Sequence, residues 1–276
     1  ILIALCLMMP AVSALAAQNS KLGGVAISPI VSVQEKYDTN IYLAPRVGRK
    51  ASLINRTLVG LGFVKEGSRL SLKSAYSIEG LFYSRSHRNN DAVHHNASVG
   101  AEYRLAGERT LAFGDKYEAT TDQATSQLTA RAKRVLNVAG LNFESPLRGK
   151  FGYGISAQHA VNDYLSPDYK ILDRDEVLAG VDLNYRVQPK TKLFLAYRFG
   201  SLKYRERALA GIGDAVYSNV DAGLTGNIAP KLTGKVTGGA QFRKYRKDLG
   251  EASNSQTTGS YGAQLNWRPR AKTEVV

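Results

Sequence analysis

The 276-residue chain sets 37 Lys and Arg against 23 Asp and Glu, a formal net charge of +14, while 43% of its residues are hydrophobic. That hydrophobic share excludes bulk disorder, which goes with low hydrophobicity and high net charge. Twenty-six Gly and 15 Tyr suit strands and turns more than packed helices, and a single Cys leaves no intrachain disulfide to staple a fold.

The opening stretch, ILIALCLMMPAVSALAAQ, is an apolar run broken by Pro10 and closed by Ala14-Leu15-Ala16. It reads as the hydrophobic region and cleavage site of a secretory signal peptide, residues 1–16, incomplete at its N-terminus, ahead of one domain spanning residues 17–276. The run falls short of the ~20 residues a spanning helix needs. Leu5 stands before Cys6 where a lipid-anchor signal would have a small residue, and cleavage after Ala16 would remove this only thiol.

Beyond residue 17, apolar and polar residues alternate with period two, the mark of half-buried strands. In chain order the alternation predicts strands at 25–34, 53–64, 69–83, 97–105, 110–119, 135–144, 151–162, 177–187, 192–202, 215–228, 233–245 and 261–268, with residues 273–276 starting a thirteenth. Tight turns at 65–68, 106–108, 146–149, 188–190, 229–231 and 268–271 alternate with long polar connections at 37–50, 84–93, 121–133, 165–175, 203–214 and 246–256. Short connections on one side and long ones on the other belong to a transmembrane β-barrel, which has periplasmic turns and extracellular loops. No later stretch reaches the ~18 consecutive apolar residues of a spanning helix.

The faces agree. Within 177–187 one side reads Val177, Ala179, Val181, Leu183, Tyr185 and Val187, the other Gly180, Asp182, Asn184 and Arg186. Residues 97–105 and 261–268 behave alike, with charges well inside each strand. A soluble antiparallel sandwich would supply larger apolar side chains to a shared core; lipid outside and water inside explain modest apolar faces opposite charged ones. Tyr103, Tyr185, Tyr197 and Trp267 are expected at strand ends, level with lipid headgroups. The fold class expected is all-β, an antiparallel transmembrane β-barrel of about 12 or more strands that continues beyond residue 276.

Tyr37-Asp38-Thr39-Asn40-Ile41-Tyr42 and the hairpin Tyr185-Arg186-Val187-Gln188-Pro189-Lys190-Thr191 resemble the type 2 β-barrel porin family of bacterial outer membranes. Asn227-Ile228-Ala229-Pro230-Lys231-Leu232-Thr233 is a looser copy of that hairpin, without its Tyr. The resemblance implies a Gram-negative outer-membrane location and an association with exopolysaccharide export, and it carries no catalytic residues.

Parity turns Arg56, Lys73, Arg104, Lys116, Arg186, Lys192, Arg198, Lys235, Arg243 and Arg268 toward the barrel interior, beside Glu79, Glu102, Glu118, Asp182 and Asp221. Arg and Lys lining a pore lower the barrier for anions, while mixed charges can instead knit neighbouring strands. Lys203, Arg205, Arg207, Lys244, Arg246 and Lys247 crowd the ends next to long loops, where they would meet lipopolysaccharide phosphates in the outer-membrane lipid. No nucleic-acid partner is expected of an exported, strand-by-strand alternating chain, although its pI of 9.8 would suit one. Between residues 84 and 96, His87, Asp91, His94 and His95 are read as solvated loop side chains rather than metal ligands. Asp163, Asp168, Asp173, Asp175 and Glu176 lack calcium-loop spacing. Ser156 and His159, three apart, fall on opposite strand faces, so no nucleophile–base pair and no enzyme is expected. The expected function is an outer-membrane channel or export conduit, needing no cofactor, for cargo such as an anionic exopolysaccharide. The alternative is a plugged barrel that docks partner proteins of a secretion or polysaccharide assembly system.

Overall fold

The computed structural model describes residues 20–42, 47–85, 90–121, 132–206, 213–229, 232–245, 254–270 and 273–275. The expected signal peptide with Cys6, and His87, Arg207, Arg246 and Lys247, lie outside the described residues, as does the Arg268 side chain.

Among the described residues, fourteen strands form one meander whose sheet order is the chain order, so neighbours in the chain are hydrogen-bonded. The elements are β1 (Ser20–Leu22), β2 (Val25–Asp38), β3 (Ser52–Glu66), β4 (Leu70–Tyr83), β5 (Ala92–Arg104), β6 (Thr110–Thr120) and β7 (Arg134–Arg148). They continue with β8 (Phe151–Tyr164), β9 (Arg174–Gln188), β10 (Thr191–Tyr204), β11 (Ala215–Ala229), β12 (Leu232–Tyr245), β13 (Ser255–Arg270) and β14 (Thr273–Val275). A 3-10 turn, Pro167–Leu172, lies between β8 and β9. Connections alternate between short turns and long loops throughout, so every strand has a turn end and a loop end.

The chain divides into two compact units. The first holds β1 to β4, residues 92–101 of β5, 114–120 of β6, 134–137 of β7 and 162–164 of β8. Within it β2 and β3 pair without interruption from Val25↔Lys65 to Asp38↔Ser52, and β3 and β4 from Ile54↔Tyr83 to Glu66↔Ser71. The second holds β9 to β14 with the remainders of β5 to β8. There β9 and β10 stay in register from Lys192↔Arg186 to Tyr204↔Arg174 after one bulge at Thr191, and β11 and β12 from Ala215↔Tyr245 to Asn227↔Thr233.

Burial is inverted relative to a water-soluble sheet. On β9 and β10 the apolar side chains Leu183, Leu193, Leu195 and Phe199 are 45–50% exposed. Their polar-face neighbours Asp182, Arg186, Lys192 and Arg198 are half-buried, and Ala196 and Gly200 are buried. Water would penalise that arrangement at every exposed methylene, whereas hydrocarbon against the apolar face removes the penalty.

The twelve main strands expected from alternation are all present, and all but the one at 69–83, found as Leu70–Tyr83, are longer. The predicted strand at 97–105 begins at Ala92, so His94 and His95 belong to β5 rather than to a loop. Pro146, expected in a turn, lies inside β7, leaving Gly149 and Lys150 as the connection. The reason is general: side-chain alternation fades where strands leave the apolar layer, but each backbone N–H and C=O still needs a partner. Strand β1 also escaped prediction, its three residues being too few to show a period.

Of the aromatic residues expected at strand ends, Tyr103 is the penultimate residue of β5 and Tyr185 lies three residues from the end of β9, whereas the Trp267 side chain lies outside the described residues. Tyr197 sits mid-strand on β10, paired with Val181, not at a strand end. Instead β4, β8, β10 and β12 each finish their loop ends on a polar-face tyrosine, Tyr83, Tyr164, Tyr204 and Tyr245. The first three are buried, at 4%, 1% and 8% exposure. A returning loop closes two of them: Tyr83 N–H donates to Asp91 (2.8 Å) and Tyr204 N–H to Asp214 (2.9 Å).

Candidate functional site

The polar face of β9 to β13 lies wholly within the second unit, and the strand registers arrange its side chains into rows across the strands. Nearest the turns, Arg186 pairs with Lys192, Lys192 with Thr225, Thr225 with Lys235 and Lys235 with Gln264. Two rows further on, Asp182, Ala196, Asp221, Gly239 and Ser260 follow one another. The next row reads Gly180, Arg198, Asn219, Gln241 and Thr258, and the one after it Leu178, Gly200, Tyr217, Arg243 and Gln256. Basic residues thus fall in two bands with an acidic row between them.

In the second band Arg198 is neutralised, while Arg243 is held by aromatic rings. Arg198 makes a forked contact with Asp182, Nη2 lying 2.7 Å from one carboxylate oxygen and 2.8 Å from the other. To reach it the side chain crosses the backbone of β9 at Gly180, where a Cβ would stand 2.5 Å from Arg198 Cδ. Tyr217 likewise lies across Gly200, where a Cβ would overlap its ring, and its hydroxyl donates to Glu176. The Arg243 guanidinium then stacks over Tyr217 at 5.1 Å and over Tyr245 at 5.9 Å. Its Nε is buried without a hydrogen-bond partner.

The turn-end band is not neutralised. Arg186 donates to the Leu147 carbonyl at 3.3 Å, and Lys235 sits 5.0 Å from the Phe194 ring centre. Among the described residues, Arg186, Lys192 and Lys235 form no ion pair.

In the first unit, Arg56 Nε approaches Glu79 at 3.0 Å. Glu79 also meets His94 Nδ1 at 3.2 Å, and His94 Nε2 accepts the Thr121 backbone N–H at 3.0 Å. Because Nε2 is an acceptor there, the ring proton sits on Nδ1 and donates to Glu79. His94 is 2% exposed, which corrects its reading as a solvated loop side chain. The strand period turns it onto the same polar face as Glu79, while His95 points the other way and meets Tyr76 at 2.9 Å. Close by, Ile41 packs against Ile54, Leu81 and Tyr83, a buried apolar cluster on a face expected to be polar throughout.

The remaining expected residues fall as follows. Arg104 and Lys116 each contact the carboxylate two residues away, Glu102 and Glu118, at 3.4 Å. Lys73 takes a polar-face position near the turn end of β4, opposite Val64. Lys203 and Lys244 occupy the apolar face at the loop ends of β10 and β12 and line a cavity of about 350 Å³ with Leu202, Val216 and Tyr245. Arg205 instead binds Asp175 at 2.9 Å, where His159 also lies 3.6 Å away. No group of three or more metal-ligating side chains occurs among the described residues. Nothing in the alternation announced the glycine crossings, the His94 network or the Ile41 cluster; a glycine facing a long side chain on the next strand is the one pattern that could have.

A meander of strands whose apolar side faces outward and whose charged side is shielded defines an outer-membrane β-barrel. Residues 14–276 match the family described as "Putative beta-barrel porin 2", and the chain belongs to that family. Its fold is the antiparallel transmembrane β-barrel, and its place is the bacterial outer membrane. Similar solved structures include the "COG4313 outer membrane channel from Pseudomonas putida F1", 14% identical with a TM-score of 0.39 over 90% of this chain and 94% of that one. Another is "Outer-membrane expressed OmpT of Vibrio cholerae", 11% identical with a TM-score of 0.43 over 90% of this chain and all of that one. No curated protein matches the chain.

Proposed function

We propose that this porin-family barrel is a non-catalytic channel with a preference for anions, and that an anionic polysaccharide is among the cargo it passes. The observation that carries the anion preference is the turn-end row, where Arg186, Lys192 and Lys235 face the polar side without a carboxylate partner. Fixed positive charges in a pore attract anions and repel cations. The polysaccharide part rests on the family resemblance of the Tyr185–Thr191 hairpin. Outside, Lys203 and Lys244, which share their cavity with Leu202, Val216 and a single carboxylate, Asp214, suit a phosphate-bearing lipid such as lipopolysaccharide.

The test is single-channel recording in planar bilayers under a salt gradient. Wild type should conduct with a reversal potential on the anion side, and the triple variant R186Q/K192Q/K235Q should lose most of that preference while still conducting. Equal selectivity in the two proteins would remove the turn-end row as the filter; an electrically silent wild type would remove the channel. A second reading, a filled interior that docks partner proteins, is favoured by the Ile41, Ile54, Leu81 and Tyr83 cluster. The silent-bilayer outcome would turn the assignment toward it.

A further inference from the structure

At the turn end of the second unit, a cavity of about 210 Å³ opens beside the β9–β10 turn. We propose that it is a binding site for a phosphate-class oxyanion, resting on the reading of the polar face as the wet interior. Three cationic residues line it, Arg186, Lys190 and Lys192, together with Gln188 and Thr225, and no acidic residue does. A monovalent carboxylate would leave such a set under-compensated. A divalent tetrahedral anion meets both its charge and its donors, with the Arg fork taking two oxygens and each ammonium one. At this volume the cavity exceeds the ~150 Å³ that houses a benzene ring, so a hydrated or esterified phosphate fits without displacing the walls.

The backbone beneath the cavity and its Arg186 wall are tied in place. Arg186 is held from both ends, its N–H donating to the Lys150 carbonyl at 2.7 Å and its Nη2 to the Leu147 carbonyl at 3.3 Å. Thr191 is buried, and its hydroxyl donates to the Asn227 carbonyl at 2.6 Å. The Asn227 N–H donates to the Lys190 carbonyl at 3.0 Å. Gly226 closes the floor at φ 121°, a conformation other residues rarely adopt, and a Cβ there would collide with that same carbonyl. The β9–β10 turn is therefore latched to β11, and the latch fixes the backbone from which Lys190 and Lys192 reach the cavity. A preorganised set of donors binds an anion at lower entropic cost than mobile lysines.

Isothermal titration of the full chain in detergent with inorganic phosphate, at constant ionic strength and with acetate as the monovalent control, tests the site. One phosphate per chain should bind, at least about tenfold more tightly than acetate, as two extra charge-assisted contacts imply. R186Q/K192Q should weaken phosphate by at least about tenfold, whereas K65Q, on β3 in the first unit, should leave it unchanged. Gly226→Val should weaken phosphate with all three cations present, and its folded state is verified by heat-modifiable gel mobility. No phosphate binding, equal affinity for acetate, or full affinity in R186Q/K192Q would overturn the site. Phosphate binding by a protein silent in bilayers would leave the site standing and remove the channel. Conduction without phosphate binding would do the reverse.

Discussion

Arg198 shows what a single glycine can decide. Its guanidinium reaches Asp182 because nothing but hydrogen stands on Gly180. A Gly180→Val substitution puts a branched side chain where Arg198 Cδ and Nε now lie, so the arginine must swing off and leave Asp182 without its fork. Overpacking of this kind costs about 1–3 kcal/mol. The expected outcome is a lower urea midpoint for the folded barrel, read by gel mobility in vesicles; an unchanged midpoint would show that Arg198 does not lie along the strand. The same logic explains why ion pairs on this face were only partly legible. Alternation placed Glu79, Glu102, Glu118 and Asp182 beside the right cations, yet which pairs close depends on small residues that leave a path between strands. It could not separate the neutralised Arg198 from the uncompensated Arg186.

At the scale of an element, β10 carries two incompatible surfaces on one ribbon. Leu193, Leu195, Tyr197 and Phe199 form an exposed apolar face while Lys192, Phe194, Ala196 and Arg198 form the shielded opposite face. Leu195→Arg should therefore lower the free energy of folding into vesicles by about 2–4 kcal/mol, the cost of a charge on the lipid face near the midplane. Asn184→Arg, on the polar face one strand away, should cost far less; equal costs for the two would sink the assignment of faces. Strand existence and facing were readable because the period of two is a property of the ribbon itself. Strand ends were not. The buried tyrosines that finish β4, β8 and β10 escaped notice because their burial depends on loops that return over them. His94 was misjudged for the same reason, since its partners Glu79 and Thr121 stand 15 and 27 residues away in the chain.

For the molecule as a whole, the outward apolar face dictates the solvent. Dozens of large side chains, from Val31 and Leu61 to Phe242 and Leu265, are exposed by a third or more. Membranes carrying the protein should retain it through a high-salt or carbonate wash and release it only to detergent; recovery of folded monomer in the wash would contradict the barrel assignment. Family and location could be anticipated because repeated hairpins state them many times over, whereas the pairing of individual polar-face side chains is set by contacts between strands that no single stretch displays.

The strict meander carries one more consequence. Because the described strands pair in chain order, a two-strand module can be inserted or excised while the remaining backbone pairings keep their partners. Circumference in such proteins is thus free to grow or shrink by whole hairpins, and evolution can resize the barrel through duplication while the chemistry of each surviving ribbon stays as it was.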